Sequence, residues 1–199
     1  MVKNENLILG ISGSPRKQGT DYAVNYALDY ANKKFDFETE FWSVKNKKIK
    51  FCTHCDYCIR EKKGCVNVDD LQELYPLLEN TKFLLIGTPI FQGTLSGQLK
   101  TVLDRCRALV AKNPEVFKNA VGAALAVGGD RNGGQEIAIR SILDFYQQNH
   151  IISVSGGAFG ANLGASLWSN DLGAKGIQKD EEGLRAIRKV IKRMHEFKM

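Results

Sequence analysis

The 199-residue chain contains no apolar run near the roughly 20 residues a bilayer-spanning helix requires, so no membrane association is expected. No secretory leader is visible, since Met1-Val2-Lys3-Asn4-Glu5-Asn6 leads directly into a strand-like segment. There is no internal repeat and no composition shift of the kind that marks a linker. The expectation is one domain over 1–199, with a sizeable core at 43% hydrophobic residues. The formal charge of +6 raises the question of nucleic acid. The aromatic-interleaved basic stretch that single strands require is missing, however, and no nucleic-acid partner is expected. Walker and G-x-G-x-x-G fingerprints are also missing, as is any acid–base or nucleophile constellation. No side chain is therefore assigned a catalytic role. His54, His150 and His195 read as exposed or structural residues, although His54 lies among cysteines, where it could tune a metal centre.

What is present is sulfur. Four of the five cysteines, Cys52, Cys55, Cys58 and Cys65, fall in the pattern C-x2-C-x2-C-x6-C, while Cys106 stands apart as a small core residue. Three thiols spaced three apart let one loop reach several irons, as a four-iron, four-sulfur (4Fe-4S) cluster requires. A zinc knuckle, a stray disulfide and a metal-free turn remain open on spacing alone. Clustered thiols without a leader imply a reducing compartment, hence a cytoplasmic protein. Lys45, Lys47, Lys48, Lys50, Arg60, Lys62 and Lys63 flank the cysteines against only Asp56 and Glu61. They form either a solvated loop or a field that steers an acidic redox partner.

Strands are expected at Leu7–Ile11, Phe37–Trp42, Lys82–Thr88, Val121–Val127 and Ile151–Val154. Helices are expected at about 20–33, 69–80, 97–109 and 135–149, with a last one from Asp180. This alternation describes parallel βαβ units and a doubly wound α/β sheet. Two excursions, 43–68 and 156–179, interrupt it as insertions in which function or subunit contact should lie.

In such sheets ligands sit beyond the carboxyl ends of the strands, and three of those ends carry unusual loops. Ser12-Gly13-Ser14-Pro15-Arg16 with Gly19-Thr20 offers hydroxyls, a guanidinium and helix-start N–H groups, which suits a phosphate. The stretch Pro89-Ile90-Phe91-Gln92-Gly93-Thr94 brings flexible backbone and one aromatic face beside it. Gly128-Gly129-Asp130-Arg131-Asn132-Gly133-Gly134 follows the fourth strand with similar chemistry. Together they describe a mononucleotide pocket.

The strings S-G-S-P-R-K, T-P-I-F-Q-G-T-L-S-G-Q-L-K and G-G-D-R-N-G-G-Q-E resemble the NADPH-dependent FMN reductase group of the flavodoxin-like fold. With the compact cysteines and Val68-Asp69-Asp70, the resemblance narrows to the archaeal-type iron–sulfur flavoproteins and covers nearly the whole chain. It implies a five-stranded parallel sheet in the order 2-1-3-4-5, with the cysteine-rich insertion after the second strand. It further implies FMN with its phosphate on Ser12, Ser14, Arg16 and Thr20. The ring is then expected along Pro89, Ile90, Phe91, Gly93 and Thr94, and along Gly128, Gly129, Asn132 and Gly134. The resemblance puts a 4Fe-4S cluster on Cys52, Cys55, Cys58 and Cys65 and implies a homodimer or homotetramer. Phe91 stands where a tyrosine is common, which removes a hydroxyl but keeps the ring. The expected activity passes electrons from a ferredoxin-like donor through the cluster to FMN and on to a small-molecule acceptor, with oxygen or peroxide as candidates. The competing expectations are an NAD(P)H-dependent FMN or quinone reductase without a redox cluster, and a flavodoxin-like carrier or redox-sensing module without turnover.

Overall fold

The computed structural model describes residues 3–198, so Met1, Val2 and Met199, at the ends of the expected 1–199 span, lie outside it. β1 (Asn4–Ser12), β3 (Thr81–Phe91) and β5 (Val121–Gly128) form the centre of a parallel sheet whose strand path is β2-β1-β3-β5-β6, with β2 at Glu38–Ser43 and β6 at Ile152–Ser153. A short β4 (Thr94–Leu95) pairs antiparallel with the end of β3. Counting only the five strands read from sequence, this is the expected order. The central strands are almost continuously apolar because both faces are covered, as buried parallel strands require.

Strand periodicity divides the core. Leu9 and Ile11 of β1, with Leu84 and Ile86 of β3, face one side and pack with Leu99, Val102, Ile139 and Ile142. Ile8, Phe83 and Leu85 face the other side and pack with Val24, Leu28, Ile187 and Val190. The first layer is built from α3 (Leu74–Asn80), α4 (Gly97–Arg105), α5 (Arg107–Lys112) and α6 (Gln135–Gln148). The second is built from α1 (Gly19–Phe35) and α8 (Glu181–His195).

Three differences from the expected elements matter. The strand anticipated at Ile151–Val154 pairs with β5 only through Ile152 and Ser153, and β7 (Ala165–Trp168) fills the rest of that sheet position alongside Leu125–Gly128. The excursion 156–179 thus contributes a strand to the sheet, and it also holds the short helix α7 (Ala174–Lys179). The helix anticipated over 97–109 breaks at Cys106, which leaves Arg105 and Arg107 both reaching the cysteine segment. The helix anticipated over 69–80 opens as a 3-10 turn at Asp70–Glu73, with Asp69 as its N-cap. In the cysteine insertion the only regular element among the described residues is α2 (Tyr57–Glu61). No helix among the described residues is long and apolar enough to cross a membrane.

Candidate functional site: a phosphate cradle and a cysteine loop on one helix

The chain turns left from β1 to β2 and right from β3 to β5, so the loops after β1 and β3 part and open a crevice. Ser14, Arg16, Gln18, Gly19 and Thr20 line it together with Pro89, Ile90 and Phe91, closing a polar cavity of about 120 Å³. Gln18, the N-cap of α1, makes no side-chain capping bond, which leaves the first-turn N–H groups free to face an anion. Ser14 Oγ donates to the Arg16 carbonyl at 2.8 Å and accepts from the Arg16 N–H at 3.1 Å, folding the loop into a tight cup. These unspent donors and the Arg16 guanidinium fit a phosphate monoester.

The three loops are joined by side chains. Ser96 Oγ donates to the Gly13 carbonyl at 2.6 Å and accepts from Leu99 N–H at 3.1 Å, while its own N–H donates to Thr88 Oγ1 at 3.1 Å. Gln135 Nε2 donates to the Asp130 carbonyl at 2.6 Å and Oε1 accepts from Gly133 N–H at 2.8 Å, fixing the loop after β5. At Gly134, with φ of 109°, a Cβ would lie 2.2 Å from the Gly93 carbonyl oxygen, so the two ring-side loops touch backbone to backbone.

Of the residues expected to hold FMN, Ser14, Arg16, Thr20, Pro89, Ile90, Phe91 and Gly129 line the cavity. Ser12, Gly93, Thr94, Gly128, Asn132 and Gly134 do not. Ser12 is fully buried and donates to Asp21 Oδ1 at 2.5 Å, tying β1 to α1 behind the cradle. Burial raises the Asp21 carboxyl above its ordinary pKa, against the opposing hydrogen bond from Ser12. Sequence reasoning missed Val127, Ser169, Asp171 and Gly173 in the lining. The last three follow β7, whose pairing brings them back over the cradle; no local signal marks them.

The cysteine segment leaves from β2 and returns to the 3-10 turn. All four thiols are free, and each is at least partly accessible, a donor set that suits an iron–sulfur cluster. They do not converge: among the described residues no group of three or more His, Cys, Asp or Glu side chains could hold a common ion. His54, Asp56 and Lys62, with Gly64, have positive φ, so the backbone winds between the thiols in short left-handed steps. Arg107 Nη2 donates to Asp56 Oδ1 at 2.6 Å and holds that carboxyl below the usual range. Arg105 is 1% exposed and pairs with Asp69 at 2.8 Å. Cys106 is buried, and burial pushes its thiol up to about 12, consistent with an inert core position.

The two sites lie at opposite ends of α4. Its N-cap, Ser96, belongs to the cradle, and its last residue, Arg105, belongs to the cysteine segment. Nine residues of helix span about 13 Å. Between them, Val44, Ile49 and Phe51 face Gly97, Gln98 and Thr101 across a cavity of about 320 Å³.

Residues 7–166 match the family described as NADPH-dependent FMN reductase. An iron-sulfur flavoprotein of Methanocaldococcus jannaschii is 58% identical over 189 residues, covering 95% of this chain and 95% of that protein. Another, from Archaeoglobus fulgidus, is 50% identical over 191 residues and 96% of each chain. Among solved structures, a flavodoxin, WrbA-like protein from Agrobacterium tumefaciens shares the fold with a TM-score of 0.66 at 13% identity, over 97% of this chain and 96% of that one. With the crevice, the cradle and the four thiols in view, the chain belongs to the NADPH-dependent FMN reductase family, as an FMN-dependent oxidoreductase of its archaeal-type iron–sulfur flavoprotein branch.

Proposed function

We propose that the protein is an electron-transfer flavoprotein holding FMN in the cradle and a 4Fe-4S cluster on Cys52, Cys55, Cys58 and Cys65. Iron–sulfur chemistry takes single electrons from a ferredoxin-like donor, and flavin chemistry delivers them in pairs to a small acceptor such as oxygen or peroxide. The chain's own residues do the positioning. Ser14, Arg16, Thr20 and the first turn of α1 bind the phosphate. Ile90 and Phe91 offer an apolar edge for the ring, and Gly93 and Gly134 keep the two loops beneath it in contact. Ser12 ties the cradle loop to α1 from behind, Gly128 accepts from the Ser169 amide and hydroxyl through its carbonyl, and Thr94 pairs with Phe91 in the short strand turn.

The observation that carries this reading is α4, which anchors the cradle at one end and the cysteine segment at the other. The lysines flanking Cys52 suit an acidic one-electron donor. Exposed Phe51, Val66 and Val68 beside the thiols suit contact with a second copy in a homodimer or homotetramer. Free thiols suit a reducing, cytoplasmic setting. The test is anaerobic isolation with flavin, iron and sulfide analysis, then the rate of flavin bleaching by reduced ferredoxin against NADPH. FMN with four irons and faster bleaching by ferredoxin is expected; FMN without iron or sulfide overturns the proposal. A second reading, an NAD(P)H-dependent reductase without a cluster, is favoured by the thiols not converging, and it predicts rapid bleaching by NADPH alone.

A further inference from the structure

The cysteine loop has a neck, and one buried guanidinium closes it. Arg105 Nη1 donates to the Lys50 carbonyl at 2.7 Å and to Asp69 Oδ2 at 2.8 Å. Nη2 donates to the Asn67 carbonyl at 3.1 Å and to Asp69 Oδ1 at 3.2 Å. Lys50 stands two residues before Cys52, and Asn67 two residues after Cys65, so one side chain from α4 grips both limbs of the loop at the base. Other bonds complete the seal. Lys50 N–H donates to Asp69 Oδ2 at 2.9 Å, Lys48 N–H to Asp70 Oδ2 at 2.7 Å, and Asn67 Nδ2 to the Phe51 carbonyl at 3.3 Å.

We infer that Arg105 is a positioning residue for the metal centre: it fixes both ends of the 51–66 loop to α4, so that only the loop's interior rearranges when the thiols gather. This rests on the cluster reading above. Two physical points support it. Pinning the base of a loop removes in advance much of the chain entropy that gathering its ligands would otherwise cost. Arg105 also keeps one buried donor, Nε, with no partner among the described residues. A buried cation with an unspent donor suits a nearby anionic sulfur-ligated group. Lysine cannot replace the planar fork that reaches Lys50, Asn67 and Asp69 together.

The experiment compares anaerobically isolated, FMN-loaded wild type with Arg105→Lys, Arg105→Met and Asp69→Asn. It measures hydrogen exchange at the Lys48, Lys50 and Leu71 amides, iron and sulfide per FMN, and melting by circular dichroism. Arg105→Lys is expected to keep its FMN and β-sheet protection, to lose protection at those three amides, and to hold iron with about ten- to a hundredfold lower affinity. Unchanged amide protection overturns the inference, and so does a parallel loss of iron, FMN and melting temperature, which marks a merely structural role. If Arg105→Met does not fold, Arg105→Lys and Asp69→Asn decide. If the wild type itself binds no iron, the cluster reading fails, and amide exchange alone still decides whether Arg105 holds the neck.

Discussion

The two ends of α4 hold their ligand groups by opposite means. At the cradle end the recognition surface is largely backbone: first-turn N–H groups of α1, a serine cup, and glycine loops in direct contact. That surface is set by strand ends, the start of α1 and the segment that β7 brings back over it. At the cysteine end α2 is the only regular element between β2 and the 3-10 turn among the described residues, the thiols stand apart, and order comes from a few charged side chains at the base. A site made by strand ends is rigid before it binds anything, whereas a site made by a clamped loop is finished by its occupant.

The largest expected effect separates the two ends outright. Cys58→Ala should abolish iron and sulfide incorporation while FMN stays stoichiometric, read by metal analysis and the flavin absorbance. Loss of FMN as well would show that the cradle depends on the loop. Next, Gly134→Ala places a methyl against the Gly93 carbonyl in a left-handed conformation. It should cost about 3 kcal/mol in denaturant unfolding and release flavin while leaving iron bound. Arg16→Ala removes one charge-assisted contact, so FMN affinity should fall by about 2 kcal/mol, roughly thirtyfold by fluorescence titration, with iron content unchanged.

The smallest effect is one of pH, and its sign differs between the ends. Burial opposes ionisation of Asp69, but hydrogen bonds from Arg105 and from the Lys50 and Leu71 amides outweigh it and hold the carboxyl below its ordinary value. Its stabilising contribution is therefore present above the unfolded pKa of about 4 and is lost as pH falls through the lower folded value. Asp21 is raised by burial, so its folded form keeps a proton longer than the unfolded chain and its contribution weakens as pH rises through that window. Acidification should thus expose the neck amides to exchange before those of α1. The reverse order would break the comparison.

Most of the sheet was legible because its strands are apolar runs separated by turn residues, and Ser14, Arg16 and Thr20 could be located in the crevice because loops at the carboxyl ends of parallel strands line it. Ala165–Trp168 was not legible as a strand: it is four residues long, follows a glycine-rich stretch, and is held by pairing with β5 from far along the chain. Ser169 and Asp171 were hidden for the same reason. The helix start expected at 69 is there, with Asp69 capping the 3-10 turn by accepting from Leu71 N–H. The second task of Asp69, facing Arg105 from thirty-six positions away, is a tertiary contact that no local pattern encodes.

The divided partner of β5 has a consequence for how this architecture tolerates change. Because β6 and β7 each seal a different stretch of the same neighbour, the polypeptide from Val154 to Gly164 is a detour whose two ends are independently stitched down. Lengthening that detour adds only a slowly growing penalty, about 0.6 kcal/mol for each doubling. Extra residues accepted there would extend the rim of the molecule and leave Ser169 and Asp171 seated over the cradle, so the enzyme can gain new surface without redrawing its pocket.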